Sequence, residues 1–200
     1  MDLRGKNIIV VGPAGYLENE YNTDYINSFD IVCRPNVKVI DGKLDLPPNT
    51  GTRCDIVFHS GGIEGQSFNI GNDKYALYTE HNGICEALIK GYVLNGVKHL
   101  LICSDWKVRI DNAIRVCDRL GMPWSVVTVS NKNFTAGFHG LYEVAINHPR
   151  RLAIKGFDFY QTDKRGYEGY YNGHKGDSDT HNHQESFEFF IYDFLQKFNI

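Results

Sequence analysis

Six short apolar runs, separated by amphipathic stretches, constrain the fold of this chain more than any other feature. The runs are rich in valine and isoleucine and are bounded by turn residues, which is the pattern of buried strands. They cover residues 7–12, 29–35, 54–60, 98–104, 124–130 and 151–158. Several are apolar throughout, as expected for strands covered on both faces. The sequence therefore predicts a mostly parallel sheet in a doubly wound, Rossmann-like α/β fold.

Three amphipathic stretches between these runs predict helices. Residues 81–96 and 108–121 both end in a glycine, a common helix stop. A third helix is expected to start after Thr135 and to stop before Pro149. The chain has 200 residues with no internal repeat or clear linker, so we expect a single domain spanning residues 1–200.

Residues 161–182 break the alternation because they are polar and rich in glycine and tyrosine. An irregular segment of this length inside a compact domain is either disordered or an active-site lid, and we predict a lid. Residues 184–198, which follow it, are apolar around most of a helical circumference. They predict a last helix that is largely buried.

Charge and cysteine content exclude several classes of protein. A net charge of −3 gives no attraction to nucleic acid or to an anionic membrane. The five cysteines are widely spaced and contain no CxxC pair, so we expect buried thiols in a reducing compartment rather than a zinc ribbon or disulfides. No apolar run approaches the roughly 20 residues of a membrane span, and no targeting segment follows Met1. We therefore expect a cytoplasmic protein.

Open parallel sheets bind ligands beyond the carboxyl ends of their strands, so the segments that follow the predicted strands form the candidate site. The first, residues 12–16, reads G-P-A-G-Y. It lacks the second glycine of the dinucleotide fingerprint and the G-K-[ST] of a phosphate loop. An ordinary turn and a ligand contact are equally consistent with it.

Two other strand-end segments have a ligand interpretation and a plain structural one. Asn36 can bond a sugar hydroxyl or phosphate, or it can cap the next turn, which is favoured for this residue taken alone. Thr135 and Gly137 stand at a predicted helix start. Free N–H groups there can bind an anion, and Thr135 can equally be an N-cap.

A stretch rich in histidine and aspartate, residues 174–183, contains ligand types that a divalent metal prefers. It has no rigid helical spacing, so we expect neither a metal nor another cofactor. Asn182 and Glu185 fit a capping box, which places His183 in the first turn of the last helix. The helix dipole disfavours the imidazolium there, so we expect His183 to be neutral at pH 7 and able to accept a proton.

In this order, these stretches resemble the eukaryotic-type sialyltransferase family. The family's large motif is matched by "VVGPAG", by "FDIVCRPN" with Asp30, Arg34 and Asn36, and by "GTRCD". Its small motif is matched by "TAGFHGLYEVA" and "IKGFD", and its third motif by "GYYN". Its last motif, H-x4-E, is met by His183 and Glu188. The resemblance covers nearly the whole chain, although Pro13, Ala136 and Gly169 stand where the family has Asn, Thr and His.

The resemblance implies a sialyltransferase-type variant of the GT-A glycosyltransferase fold. The implied activity is inverting, metal-independent transfer of sialic acid or a related keto-sugar acid, such as Kdo, from a CMP-linked donor to a hydroxyl of a glycan or glycolipid. The implied catalytic residues are His183 as base and Glu188 as a residue that holds loop backbone or a lid side chain. The implied donor-binding residues are Gly12, Pro13, Ala14, Gly15, Asn36, Thr135, Ala136, Gly137, Phe138, Asp158, Tyr170, Tyr171 and His174.

Two alternatives stay open at this point. The chain is compatible with a non-catalytic nucleotide-binding module on a decayed sialyltransferase fold. It is also compatible with a metal-dependent hydrolase or transferase that uses residues 174–183. A Rossmann oxidoreductase is disfavoured because the glycine fingerprint fails.

Overall fold

The computed structural model describes residues 1–14, 17, 20–46, 48–60, 68–70, 73–75, 86–127 and 135–157. Its elements follow in the order β1 (Asn7–Val11), α1 (Thr23–Asn27), β2 (Ile31–Pro35), β3 (Lys38–Ile40), β4 (Lys43–Asp45), β5 (Ile56–His59), β6 (Phe68–Ile70), β7 (Asp73–Tyr75), α2 (Glu86–Leu94), β8 (His99–Cys103), α3 (Lys107–Leu120), β9 (Trp124–Val127), α4 (Ala136–Ile146) and β10 (Arg151–Lys155).

Six strands form the main sheet in the order β10-β1-β2-β5-β8-β9. Every neighbouring pair in it is parallel. Each of the six predicted apolar runs contains one of these strands. The predicted Rossmann-like α/β fold with a mostly parallel sheet is therefore confirmed.

Helices cover both faces of the sheet. On one face, Ile9, Val57 and Leu100 pack against α1, α2 and α3. On the other face, Ile8 and Phe58 pack against α4. This division follows from the rule that parallel crossovers are right-handed. The chain steps in one direction from β1 to β9 and returns through α4 to β10, so the returning helix must lie on the opposite face.

Two glycines one turn apart set the distance between α4 and the sheet. A β-carbon at Gly140 would collide with the Phe58 ring, and one at Gly137 would lie 3.1 Å from Cε1 of Phe157. Because close packing leaves no room for an added methyl group, any larger residue would force α4 away from β5. Both glycines therefore have a packing role.

The predicted capping residues lie at the ends of the helices as expected. Gly121 follows α3 in the left-handed conformation, with φ of 67°. Gly96, with φ of 74°, follows α2. Thr135 is the N-cap of α4, and its side chain accepts a hydrogen bond from the Phe138 N–H.

The β3–β4 hairpin was not predicted. Its turn residues, Asp41 and Gly42, have φ of 49° and 75°, which is the geometry of a two-residue hairpin turn of the Asp-Gly type. Its two strands have three residues each, shorter than the runs on which the strand prediction rested. The Asp-Gly pair between Ile40 and Lys43 was the available signal. β6 and β7 form a second antiparallel pair that was also not predicted.

The first described α-helix, α1, begins at Thr23 and has five residues. Before it, the Leu17 N–H donates to the Ala14 carbonyl at 3.2 Å, and the Glu20 N–H donates to the Leu17 carbonyl at 3.2 Å.

Four of the cysteines are buried free thiols: Cys33, Cys54, Cys103 and Cys117. Burial raises the pKa of Cys54 and of Cys117 to about 12, so both are inert thiols at neutral pH. The prediction of buried small hydrophobic cysteines is confirmed for these four, while Cys85 lies outside the described residues.

Within the described ranges, no helix combines the length and the apolarity that a membrane crossing requires. The predicted lid at 161–182 and the predicted last helix at 184–198 lie outside those ranges.

Candidate functional site at the carboxyl edge of the sheet

The carboxyl ends of the six parallel strands meet at one edge of the sheet, and part of the predicted site lies there. The predicted donor-binding residues that the structure describes are Gly12, Pro13, Ala14, Asn36, Thr135, Ala136, Gly137 and Phe138. The remaining ones lie outside the described residues, namely Gly15, Asp158, Tyr170, Tyr171 and His174, as do the predicted catalytic residues His183 and Glu188.

The turn after β1 is bound to the end of β10. The Gly12 N–H donates to the Lys155 carbonyl at 2.8 Å, and the Ala14 N–H donates to the Gly156 carbonyl at 3.0 Å. Pro13 between them has no N–H. The N–H groups of Gly12 and Ala14 are thus used within the fold. A contact between this turn and a sugar nucleotide would therefore come from carbonyl or apolar atoms.

The β1 and β10 chains also touch at their glycines. A β-carbon at Gly12 would fall on the Gly156 carbonyl, and a β-carbon at Gly156 would fall on the Gly12 carbonyl and within 2.5 Å of Cδ1 of Leu17. Gly156 also has φ of 74°, a conformation that other residues adopt only with strain. The two glycines are therefore required by the close approach of two backbones.

Asn36 connects the ends of β2 and β5. Its N–H donates to the Phe58 carbonyl at 2.7 Å, and its Oδ1 accepts from the Ser60 N–H at 3.3 Å. Its φ of 46° lies in the left-handed region, which asparagine tolerates better than most residues. The described contacts of Asn36 therefore tie together the ends of two neighbouring strands.

The start of α4 offers hydrogen-bond donors at the same edge. The Thr135 hydroxyl accepts a hydrogen bond from the Phe138 N–H at 3.1 Å. The Phe138 side chain is 2% exposed and lies in the core. The N–H groups of Ala136 and Gly137 have no acceptor in the described part of the chain. Unpaired N–H groups and the helix dipole together favour an anion at this position.

Gly137 joins the start of α4 to two other strand ends. The position of its absent β-carbon lies 3.1 Å from the Phe157 ring and 3.4 Å from Cβ of Pro35. Phe157 follows β10, and Pro35 is the last residue of β2. The structure therefore brings Gly12, Asn36 and Gly137, which the sequence assigned to one edge, into adjoining positions around Phe157 and Phe58.

Lys155 and Glu20 form an ion pair at this edge. The Lys155 Nζ lies 2.9 Å from Oε2 of Glu20. The Lys155 ammonium, and then a hydrogen bond from Asn22, lower the pKa of Glu20 below its ordinary value. Lys155 ends β10, so it places a cation beside the turn after β1. Neither Lys155 nor Glu20 was singled out from the sequence, in which a lysine ending an apolar run was the only signal.

His59, the last residue of β5, is a buried imidazole at the same edge. It is 1% exposed, and burial lowers its pKa to about 3. His59 is therefore neutral at any physiological pH. The sequence had placed residues 59–62 at this edge without assigning a role to the imidazole.

Two polar residues of the large-motif match, Asp30 and Arg34, have structural partners. Asp30 accepts from the Asn7 N–H at 2.7 Å, which ties the starts of β1 and β2. Arg34 donates from Nε to the Arg53 carbonyl at 3.0 Å and from its terminal nitrogens to the Thr50 hydroxyl and carbonyl. These contacts hold the loop before β5, so Arg34 stabilises the fold rather than facing the candidate site.

Asp55, the last residue of the "GTRCD" stretch, is 3% exposed. It accepts from the Val32 N–H at 2.9 Å and pairs with Arg53 at 2.9 Å and Lys98 at 2.8 Å. Because a buried carboxylate needs such partners, Asp55 has a clear structural role at the amino ends of β2, β5 and β8.

The described edge offers the N–H groups of Ala136 and Gly137, which have no acceptor among the described residues and can bind an anion. Among the residues that the structure describes, no three His, Cys, Asp or Glu side chains cluster in a way that could hold a metal ion, and residues 174–183 lie outside that part of the chain. Comparison of the chain with protein-family models, with curated proteins and with solved structures finds no significant match.

Proposed function

We propose that the protein is a glycosyltransferase of the sialyltransferase type. It binds a CMP-linked keto-sugar acid, either sialic acid or a relative such as Kdo, at the carboxyl edge of the sheet. It transfers the sugar to a hydroxyl of a glycan or glycolipid with inversion and without a metal. The proposal rests on the ordered motif resemblance together with the geometry of that edge.

One observation carries the proposal, namely the contact of Gly137 with Pro35 and Phe157. Through it, the donor-rich start of α4 adjoins the ends of β2 and β10, although these segments are far apart in the sequence. The "RPN" and "TAGF" stretches and the Gly156–Phe157 part of "GFD" thus meet in space. Open parallel sheets gather strand ends in this way, so the contact supports a shared ligand site for the three stretches.

In the proposed reaction, an acceptor hydroxyl oxygen attacks the anomeric carbon of the keto-sugar. His183 takes the hydroxyl proton, and the bond from the anomeric carbon to the phosphate oxygen breaks with its electron pair on CMP. The phosphate charge is held by the Ala136 and Gly137 N–H groups and by Tyr170 or Tyr171.

Nucleotide binding is the first test. Thermal unfolding of the purified protein is measured with CMP, UMP, UDP and AMP, and the melting temperature is expected to rise with CMP more than with the others. Stabilisation by UDP in place of CMP would remove the donor assignment. Stabilisation by none of them would contradict a nucleotide site at this edge.

The catalytic assignment is tested by His183→Ala with His181→Ala as a matched control in the same segment. CMP release from CMP-sialic acid and from CMP-Kdo is measured with a mixture of glycan acceptors. Loss of about 100-fold or more in kcat is expected for His183→Ala, with CMP binding unchanged, and little change for His181→Ala. An undiminished rate in His183→Ala would show that the base is another group.

The two alternatives predict different outcomes of the same assays. A non-catalytic module binds CMP and releases none from either donor. A metal-dependent enzyme loses activity in EDTA and regains it with a divalent ion. Either result would replace the proposed activity.

A further inference from the structure

Trp106 is a large aromatic residue exposed at the carboxyl edge. It follows the end of β8, and 51% of its surface is accessible to solvent. β8 is two strands from β2 in the sheet, which corresponds to roughly 10 Å at about 4.8 Å per strand. The indole is therefore on the edge that carries the proposed donor site, displaced sideways from it.

The backbone of residue 106 is fixed, and a cation covers one face of its ring. The backbone N–H of Trp106 donates to the Ser104 hydroxyl at 3.2 Å, and its backbone carbonyl accepts from the Ile110 N–H at 3.0 Å. The Arg109 guanidinium lies over the ring, 3.9 Å from its centroid. A cation at this distance is attracted to the π-electrons of the ring, so Arg109 supports one face.

A half-exposed ring with a cation on one face has a specific use. Burying a half-exposed tryptophan gains binding free energy at a small cost in side-chain entropy, because the side chain has only two rotatable bonds. A pyranose has an apolar face of C–H groups that packs flat on an indole, and hydroxyl groups at its rim that accept hydrogen bonds from a guanidinium. The pair Trp106 and Arg109 matches both parts of a sugar.

We propose that Trp106 and Arg109 form a platform on which the acceptor sugar stacks. The proposal rests on the proposed transfer reaction, because it assigns the acceptor of that reaction to this part of the edge. Trp106 stacks on the apolar face of the sugar, and Arg109 supports the opposite face of the ring and donates to the hydroxyl groups at the rim of the sugar.

Fluorescence tests the platform without reference to turnover. The chain contains two tryptophans, and the half-buried Trp124, which donates from Nε1 to Asp118 at 2.8 Å, can be replaced. In Trp124→Phe, the emission reports Trp106 alone. The variant is titrated with oligosaccharides ending in galactose, glucose, N-acetylglucosamine or sialic acid, up to millimolar concentrations. A saturable change with at least one of them is expected, and no change with any would overturn the platform.

Steady-state kinetics test the same platform in the proposed reaction. Trp106→Ala is expected to raise the acceptor KM tenfold or more and to leave the donor KM unchanged, while Trp106→Phe restores most of the loss. Leu94→Ala, an exposed apolar residue at the end of α2, is the matched control and should change neither constant. An unchanged acceptor KM in Trp106→Ala would overturn the assignment.

The two tests separate this inference from the proposed function. If oligosaccharides perturb Trp106 and no CMP-sugar is turned over, the sugar platform stands and the transferase proposal fails. If CMP-sugar is turned over and Trp106→Ala leaves the acceptor KM unchanged, the transferase proposal stands and the platform fails.

Discussion

Gly12 and Gly156 lie so close together that a β-carbon on either would fall on the carbonyl oxygen of the other. Two backbone hydrogen bonds, from Gly12 to Lys155 and from Ala14 to Gly156, lock the same contact. The turn after β1 therefore takes its shape from β10, which follows it by most of the chain. Any ligand site built on this turn depends on β10 as much as on β1.

The first prediction is that Gly156→Ala destabilises the protein far more than Gly121→Ala. Both glycines have positive φ, 74° and 67°, so both substitutions carry a backbone cost of about 1–2 kcal/mol. Only Gly156 has a neighbouring backbone in the way, which should bring its loss to about 3 kcal/mol or more. Urea unfolding gives both values, and equal losses would contradict the close approach.

The second prediction concerns the contact between α4 and the sheet. Gly140→Ala should destabilise the protein by about 1–3 kcal/mol, because its methyl group meets the Phe58 ring. In the double variant Gly140→Ala, Phe58→Leu, the smaller side chain makes room for the methyl group. A double-mutant cycle should therefore show a favourable coupling of roughly 1 kcal/mol. Additive losses would indicate that the two residues do not touch.

The third prediction is that Arg34→Lys weakens the fold. Arg34 is 1% exposed and donates to Thr50 and to the Arg53 carbonyl. Lysine cannot reproduce this fork of donors and leaves a buried charge poorly bonded, so a loss of about 2–4 kcal/mol is expected. The exposed Arg115 provides the control, because Arg115→Lys should change the free energy of unfolding by less than about 0.5 kcal/mol. Similar values for both variants would contradict the structural role.

The fourth prediction is a pH dependence of stability that comes from His59. Burial lowers its pKa to about 3 in the folded protein, against about 6.5 in an unfolded chain. Between these values the unfolded state binds more protons, so the free energy of unfolding falls as pH falls below about 6.5. The slope from this group approaches about 1.4 kcal/mol per pH unit.

Urea unfolding between about pH 7 and pH 5 measures that slope in the native sequence and in His59→Gln. The variant should be less stable at neutral pH and should depend less on pH. A slope that is unchanged in His59→Gln would assign the acid sensitivity to other groups, such as His99, whose pKa burial lowers to about 4.

The fifth prediction tests the anion site at the start of α4. Ala136→Asp places a carboxylate beside the N–H groups of Ala136 and Gly137, where it satisfies them and repels a phosphate. CMP affinity, measured by calorimetry, should fall tenfold or more, which corresponds to about 1.4 kcal/mol. Ala136→Asn adds nearly the same volume without the charge and should weaken CMP much less. Equal effects of both variants would point to steric blocking instead.

The parts of the fold that the sequence predicts are those written in local patterns. The six strands follow from apolar runs, and the cap at Thr135 and the stop at Gly121 follow from residue types with strong positional preferences. The hairpin at Asp41 and Gly42 was missed, although its turn is also local, because its strands are short. The hairpin was therefore missed because only longer apolar runs were taken as strands, although the Asp-Gly turn itself has a clear sequence signal.

The partners of the site residues depend on tertiary contacts and are not written locally. No local pattern around Gly12 shows that its N–H donates to Lys155, which follows it by most of the chain. The same holds for Arg34, which belongs to the large-motif match and whose guanidinium holds the loop at Thr50. Ligand roles inferred from motifs thus need the hydrogen-bond partner of each group before they can be separated from structural roles.

The order of strands has a consequence for synthesis on the ribosome. β1 is an interior strand only because β10 pairs with it from Asn7↔Arg151 to Val11↔Lys155. Until residue 155 has left the exit tunnel, one side of β1 is a row of unpaired N–H and C=O groups on an apolar strand, which is a template for pairing with another nascent chain. Fragments that stop before residue 151 should therefore aggregate, and full-length chains should be most vulnerable to aggregation just before β10 is made.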